Sequence, residues 1–177
     1  MRVGEGYLFH AMDYLLELSA RRADKCSKPM STSHPISSLL HHKKSTLWSV
    51  SPDTTVFDAI KLMADKNVGA LPVVLNGELH GVFTERDYTR KVALQGKTSR
   101  ETRVREIMTG QVFIVTPNDT VEICMKLMND NRVRHLPVID GGKVIGIISI
   151  GDLVNWIIST QGATIEQMER YIAGVAA

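Results

Sequence analysis

The 177-residue chain predicts an α/β fold in which one β-α-β-β-α unit is built twice. Three observations carry this. Residues 48–92 map onto 113–157 without a gap by adding 65 (81 + 65 = 146, 87 + 65 = 152), so Gly81, Thr84 and Asp87 recur as Gly146, Ser149 and Asp152. A self-similar period of that length marks one supersecondary unit made twice. Within each copy the apolar pattern changes from helical spacing to compact strand-like runs. Each copy also carries a turn pair between two such runs, Asn76-Gly77 and Gly141-Gly142, the composition of a two-residue hairpin.

The elements follow in order. Residues 5–23 place Leu8, Met12, Leu15, Leu16 and Ala20 at helical spacing, predicting an amphipathic helix that docks on the module or a partner, or else frays without a role. Residues 24–35 read as loop, and Met30 is an alternative start. Trp48–Val50 is a short strand ended by Ser51-Pro52, because proline cannot donate. Asp53 and Thr54 are candidate caps for a helix whose apolar face is Val56, Ala59, Ile60, Met63 and Ala64. Ala70–Leu75 is a strand with a proline near its start, hence near a sheet edge. Leu79–Thr84 completes the hairpin, and Glu85–Gln95 is a helix stopped by Gly96. The second copy repeats the series with strands Val112–Val115, His135–Asp140 and Val144–Ser149, and helices over Val121–Asn131 and from Ile150. Val144–Ile148 is apolar throughout apart from one glycine, which predicts burial on both faces. Thr164 and Gln167 form a capping-box pattern opening a short helix to Ala173, with Ile165, Met168 and Ile172 on one face. One unit of about 60 residues would bury only about 60% of its unfolded surface, so the two are expected to share a core.

Composition bounds the function. With 44% hydrophobic residues, a net charge of +2 and a pI near 8.6, the chain is too mildly basic to argue nucleic acid or membrane by charge alone. Cys26 and Cys124 read as free thiols of a reducing compartment, since disulfides concentrate in small secreted domains. No apolar run approaches the roughly 18 residues that span a bilayer. The acids Glu5, Asp13 and Glu17 argue against a signal or transit peptide. A soluble, cytoplasmic protein is expected.

The motifs Ser51-Pro52 through Met63, Val68-Gly69-Ala70-Leu71-Pro72-Val73-Val74 and Gly81-Val82-Phe83-Thr84-Glu85-Arg86-Asp87 recur as Thr116-Pro117 through Met128, Val133-Arg134-His135-Leu136-Pro137-Val138-Ile139 and Gly146-Ile147-Ile148-Ser149-Ile150-Gly151-Asp152. Over residues 36–160 the chain resembles a tandem pair of CBS domains, a Bateman module. It is similar to the small stand-alone CBS-pair proteins of bacteria and plant organelles. The resemblance implies two repeats related by pseudo-two-fold symmetry, with a helical extension over 1–35, repeats over 36–98 and 99–161, and a short C-terminal helix within 162–177. It implies lead helices at Ile36–Lys43 and Val104–Met108. It further implies a homodimer formed through the module's helices.

Thr84 with Asp87, and Ser149 with Asp152, stand where a strand hands over to a helix. By themselves they read as capping pairs. The resemblance implies a second, compatible role, in which each aspartate accepts hydrogen bonds from the ribose diol of an adenosine ligand. A carboxylate only accepts, and a diol offers two donors. Arg134 and His135 occur in the second copy alone, opposite Gly69 and Ala70 in the first. In similar modules that position faces ligand phosphates, which suits an arginine fork. The resemblance therefore implies two unequal sites. One is built from Thr116, Val133, Arg134, His135 and Asp152 with Val82, Thr84 and Arg86, and takes a phosphorylated adenosine. The other is built from Ser51, Val68, Gly69, Ala70 and Asp87 with Ile147 and Ser149, and holds the adenosine half of a larger ligand or stays empty. AMP, ADP, ATP or NAD(H) is the expected ligand.

No catalytic apparatus can be argued. GxxxxGK and GxGxxG are absent, as is any Ser-His-Asp or Cys-His arrangement. His41-His42 point about 100° apart on a helix and converge poorly on a metal ion, and His10, His34 and His80 lack ligand-spaced partners. The competing reading is an interaction or nucleic-acid-binding protein using Arg21-Arg22, Lys43-Lys44, Arg100, Arg103 and Arg105, with nucleotide incidental.

Overall fold

The computed structural model describes residues 8–10, 34–43 and 46–160. They form strand β1 (Leu8–His10), helix α1 (Ile36–Lys43), α2 (Val56–Lys66), β2 (Ala70–Leu75), β3 (Glu78–Thr84), α3 (Glu85–Tyr88), α4 (Val104–Ile107), β4 (Val112–Ile114), α5 (Val121–Asn131), β5 (His135–Asp140), β6 (Lys143–Ser149) and α6 over residues 150–160. Two antiparallel hairpins, β2–β3 and β5–β6, are the centres of the two copies. Both turns have positive φ at both positions: Asn76 at 52° and Gly77 at 86°, Gly141 at 53° and Gly142 at 80°. That is the conformation whose twist suits a two-residue hairpin.

Helix α5 spans Val121–Asn131 as expected, and α2 starts at Val56, but its cap lies one residue later than the candidates Asp53 and Thr54. Thr55 and Thr120, not Asp53 or Thr54, are the N-caps, their side chains accepting from the amides of Asp58 and Ile123. Thr54 instead accepts from the amide of Ser51, closing the turn before the helix. Trp48–Val50 is reduced to one parallel bridge, Val50 to Val73. The next rung would need an N–H from residue 52, which is proline. The helix expected to Gln95 runs regularly only to Tyr88. It then widens into a π-turn over Thr89–Ala93.

Two expectations are overturned. Residues 8–10 are not helical; they pair as a parallel strand with Val112–Ile114, whose edge was open to them. The remainder of the helix expected over 5–23 lies outside the described residues, as do Met30, Cys26 and the C-terminal helix expected from Thr164. β6 is not buried on both faces: Gly146 and Ile148 are buried, but Ile145 is 44% exposed. Ile148 enters the core of its own copy, while Ile147 is only partly covered by Ala70, Val82 and Val112.

Each copy's core is completed by a helix from before the other copy. Ile36 and Leu39 of α1 are buried with Val121, Leu127, Leu136, Ile148 and Leu153 of the second copy. Val104 and Ile107 of α4 are buried with Val56, Met63, Leu71 and Phe83 of the first. Main-chain bonds fix the exchange: Ile36 N to Asp119 O (2.8 Å), and Val104 N to Thr54 O (2.9 Å). At about 1.5–3 kcal/mol for each large aliphatic side chain buried, these crossings bind the copies into one body. Cys124 is a free thiol within the second core, pushed up to about 12 by burial and by the Asp119 carboxylate. Among the described residues no helix is long and apolar enough to cross a membrane.

Candidate functional site

The two strand-to-helix junctions are built alike and surrounded differently. At the end of β3 the Thr84 amide and hydroxyl both donate to Asp87 Oδ2 (3.1 and 2.6 Å), while the Asp87 amide donates to Thr84 Oγ1 (3.1 Å). This capping box orients the carboxylate. Its other oxygen, Oδ1, accepts from the Thr109 hydroxyl (3.1 Å) and from Lys91 Nζ (2.8 Å). Asp87 is only 7% exposed, so its negative charge is held in place by these donors.

A cavity of about 240 Å³ opens beside Asp87. The first copy contributes Gly69, Val82, Thr84, Glu85 and Arg86. The connection into the second copy contributes Thr109, Gln111, Val112 and Phe113, and the second copy adds Val133, Arg134 and His135. One wall is therefore apolar, one is a hydroxyl–carboxylate pair, and one is cationic. Arg86 also donates to the carbonyl of Arg132 (3.3 Å), tying the first copy's helix to the second copy at the cavity rim. Gly69 lies beside His135: a Cβ there would stand 3.7 Å from the imidazole, an ordinary contact. Burial holds His135 below the usual histidine range. The Lys43, Arg134 and Arg86 charges act in the same direction, while Asp152 opposes them.

At the end of β6, Ser149 and Asp152 repeat the box, with Ser149 N and Oγ each 2.7 Å from Asp152 Oδ2. The same oxygen accepts from Lys43 Nζ at 2.7 Å, and Lys43 also donates to the Ile147 carbonyl (3.1 Å). Burial would raise the Asp152 pKa, but the hydrogen bonds from Lys43 and Ser149 outweigh it and hold the carboxyl below its ordinary value. Behind the pair lies a second cavity of about 240 Å³ between α1 and α6, lined by Leu39, His42 and Trp156 among others.

The structure groups the expected residues differently from the sequence. Val82, Thr84, Arg86, Val133, Arg134 and His135 meet in one cavity, joined there by Gly69 and Asp87, which were expected in the other site. Thr116 is turned to its own Asp119 (2.9 Å), and Asp152 to Lys43. Ser51 closes the turn before α2, and Val68 donates its amide to Met63 O. Ala70 is buried against Val82, with Ile147 packed alongside; Ser149 caps α6. Thr109, Gln111, Val112, Phe113 and Glu85 were not anticipated. Their signal was present in the polar Gln111 set just before an apolar strand. The basic surface expected for nucleic acid is largely self-engaged. Arg105 pairs with Asp53, Arg103 donates to the Asp53 carbonyl, Arg100 lies over the Phe57 ring and Lys43 holds Asp152. Arg21, Arg22 and Lys44 lie outside the described residues.

Fold and cavity together define a duplicated α/β module whose two copies share a crevice walled by an acid from one and an arginine from the other. The chain belongs to the CBS-domain family, whose model matches residues 41–94 and 104–159. It is 45% identical over 135 residues to the CBS domain-containing protein CBSX3, mitochondrial, of Arabidopsis thaliana, covering 73% of this chain and 65% of that one. It is 38% identical over 105 residues to the CBS domain-containing protein YhcV of Bacillus subtilis, covering 59% and 74%. A crystal structure of the CBS domain NE2398 superposes with a TM-score of 0.68 at 49% identity, covering 70% of this chain and 97% of that one. The chain thus spans just under two thirds of the plant relative's length. Both relatives are named for the domain rather than for an enzyme activity.

Proposed function

We propose that this chain is a regulatory module that binds a phosphorylated adenosine in the cavity beside Asp87. The observation that carries the reading is the meeting of a capped, buried carboxylate from one copy with Arg134, His135 and Arg86 in one crevice. Asp87 would take the ribose diol by exchanging the Thr109 hydroxyl for a ligand hydroxyl, with Lys91 staying paired to the same carboxylate oxygen. Arg134 and His135 would take the phosphate, and Val82, Val112 and Val133 the adenine. A volume of about 240 Å³ is below the usual range for drug-sized ligands. It favours AMP, with ADP, ATP or NAD(H) extending outside. Because the cavity has walls from both copies, occupancy favours the arrangement of copies that closes on the ligand.

The test is calorimetric titration with AMP and adenosine. AMP binding at least tenfold tighter than adenosine supports the reading, and equal affinities overturn it. A homodimer is part of the proposal, supported by Ile150, Val154 and Ile158, which are exposed along one side of α6. The cytoplasm is the proposed compartment, although the plant relative's name places that protein in mitochondria.

A pH dependence follows. The folded protein disfavours the His135 imidazolium. Stability is therefore lost as pH falls through the unfolded value of about 6.5, where only the unfolded chain takes the proton. A bound phosphate dianion would reverse the preference, so binding should draw in a proton. Between about pH 8 and 6.5, where a phosphate monoester is mostly a dianion, affinity should rise as pH falls. Titrations in buffers of different ionisation enthalpy should show uptake in the wild type and none in His135→Gln.

A further inference from the structure

The two copies neutralise their junction acids by unrelated routes. Asp87 is paired with Lys91 from its own helix; the position corresponding to Lys91 is Trp156 (91 + 65), which cannot do this. Asp152 is paired instead with Lys43 from α1, whose own counterpart is Met108 (43 + 65). Lys43 does a second thing. In the first copy the Val82 carbonyl accepts from the main-chain amide of Thr109 (3.0 Å), and the Thr109 hydroxyl reaches Asp87. In the second copy both counterparts, the Ile147 carbonyl and Asp152, are held by the single ammonium of Lys43. Among the described residues, the carbonyl that main chain holds in one crevice is held by a side chain in the other. Main chain pinned at both ends cannot swing aside, whereas a lysine on a four-carbon stem can. Asp152 Oδ1 has no hydrogen-bond partner among the described residues, so the acid has acceptor positions to spare once the crevice opens.

We propose that Lys43 is a removable wall that closes the second crevice, so that the module takes one nucleotide while Lys43 holds Asp152 and a second when it lets go. This rests on the nucleotide reading above. A ribose diol approaching Asp152 would replace an ion pair with bonds from uncharged donors and leave the ammonium unpaired, which keeps the crevice shut in the resting molecule. Lys43 is thereby a positioning residue for stoichiometry, set on a helix whose core contacts belong to the second copy.

The experiment is calorimetric titration of the full chain with AMP, reading the number of equivalents bound. Wild type should bind one, Lys43→Met two, and Lys43→Met/Asp152→Asn one again. The first equivalent in Lys43→Met serves as the check that the variant is folded. Two equivalents in wild type, or no gained equivalent in Lys43→Met, overturns the wall while leaving the nucleotide reading intact. No binding to any of the three proteins overturns both.

Discussion

Arg134→Ala should lower AMP affinity roughly ten- to a hundredfold while leaving adenosine affinity within about twofold. The figure comes from one charged hydrogen-bonding partner removed from a phosphate, about 1.5–3 kcal/mol. Arg134 lines the cavity at the entry to β5, and its main-chain carbonyl accepts from Ile150 N (3.0 Å). The backbone placement therefore does not depend on the side chain, and the variant should fold normally. The first copy has Gly69 at the corresponding position, and Arg86, the other arginine of the cavity, is engaged with the Arg132 carbonyl. Arg134→Lys should recover only part of the loss, because an ammonium keeps the charge without the planar fork. Titrating AMP and adenosine into all three proteins measures each number. A loss shared equally by AMP and adenosine would remove the phosphate assignment.

Gly81→Ala should destabilise the fold by about 2–4 kcal/mol, against less than about 1 kcal/mol for Gly146→Ala. The two glycines occupy matched positions, 65 residues apart. Their neighbours differ. A Cβ on Gly81 would stand 2.6 Å from the Thr109 carbonyl oxygen, while one on Gly146 would meet Leu40 Cδ2 at 2.9 Å. The Thr109 main chain is held by two bonds to Val82, each 3.0 Å. It can move only by breaking them. Leu40 is the flexible end of a side chain and can rotate. For a chain of this size about 2–4 °C in Tm accompanies each kcal/mol, so thermal unfolding of the two variants separates them readily. Gly81→Ala should also weaken AMP binding, because Thr109 is a wall of the cavity and a partner of Asp87. Equal destabilisation by both substitutions would contradict the packing described.

The duplication, both hairpins and the helices α2 and α5 were legible from residues alone. Each rests on local chemistry: positive-φ turn pairs and an apolar face at helical spacing act within a few residues. Arg134 and His135 were legible as a pair peculiar to the second copy, standing out against Gly69 and Ala70 in the first. The strand Leu8–His10 was misread because Leu8, Met12 and Leu15 suit a helix, and only the free edge of a strand over 100 residues away decides otherwise. The exposed Ile145 was missed because an apolar strand does not say how far its neighbour extends.

By itself, then, the sequence determined that one small α/β unit occurs twice and that each copy ends a strand on a hydroxyl–aspartate box. Tertiary structure alone decided which aspartate faces the arginine. α1 and α4 each complete the core of the copy that does not follow them, so the chain crosses between copies before either crevice is formed. That crossing sets Asp87 opposite Arg134 and lays Lys43 on Asp152. The physical reason is range: caps and turns are settled by neighbours in sequence, whereas a crevice between two bodies is settled by which apolar faces bury each other.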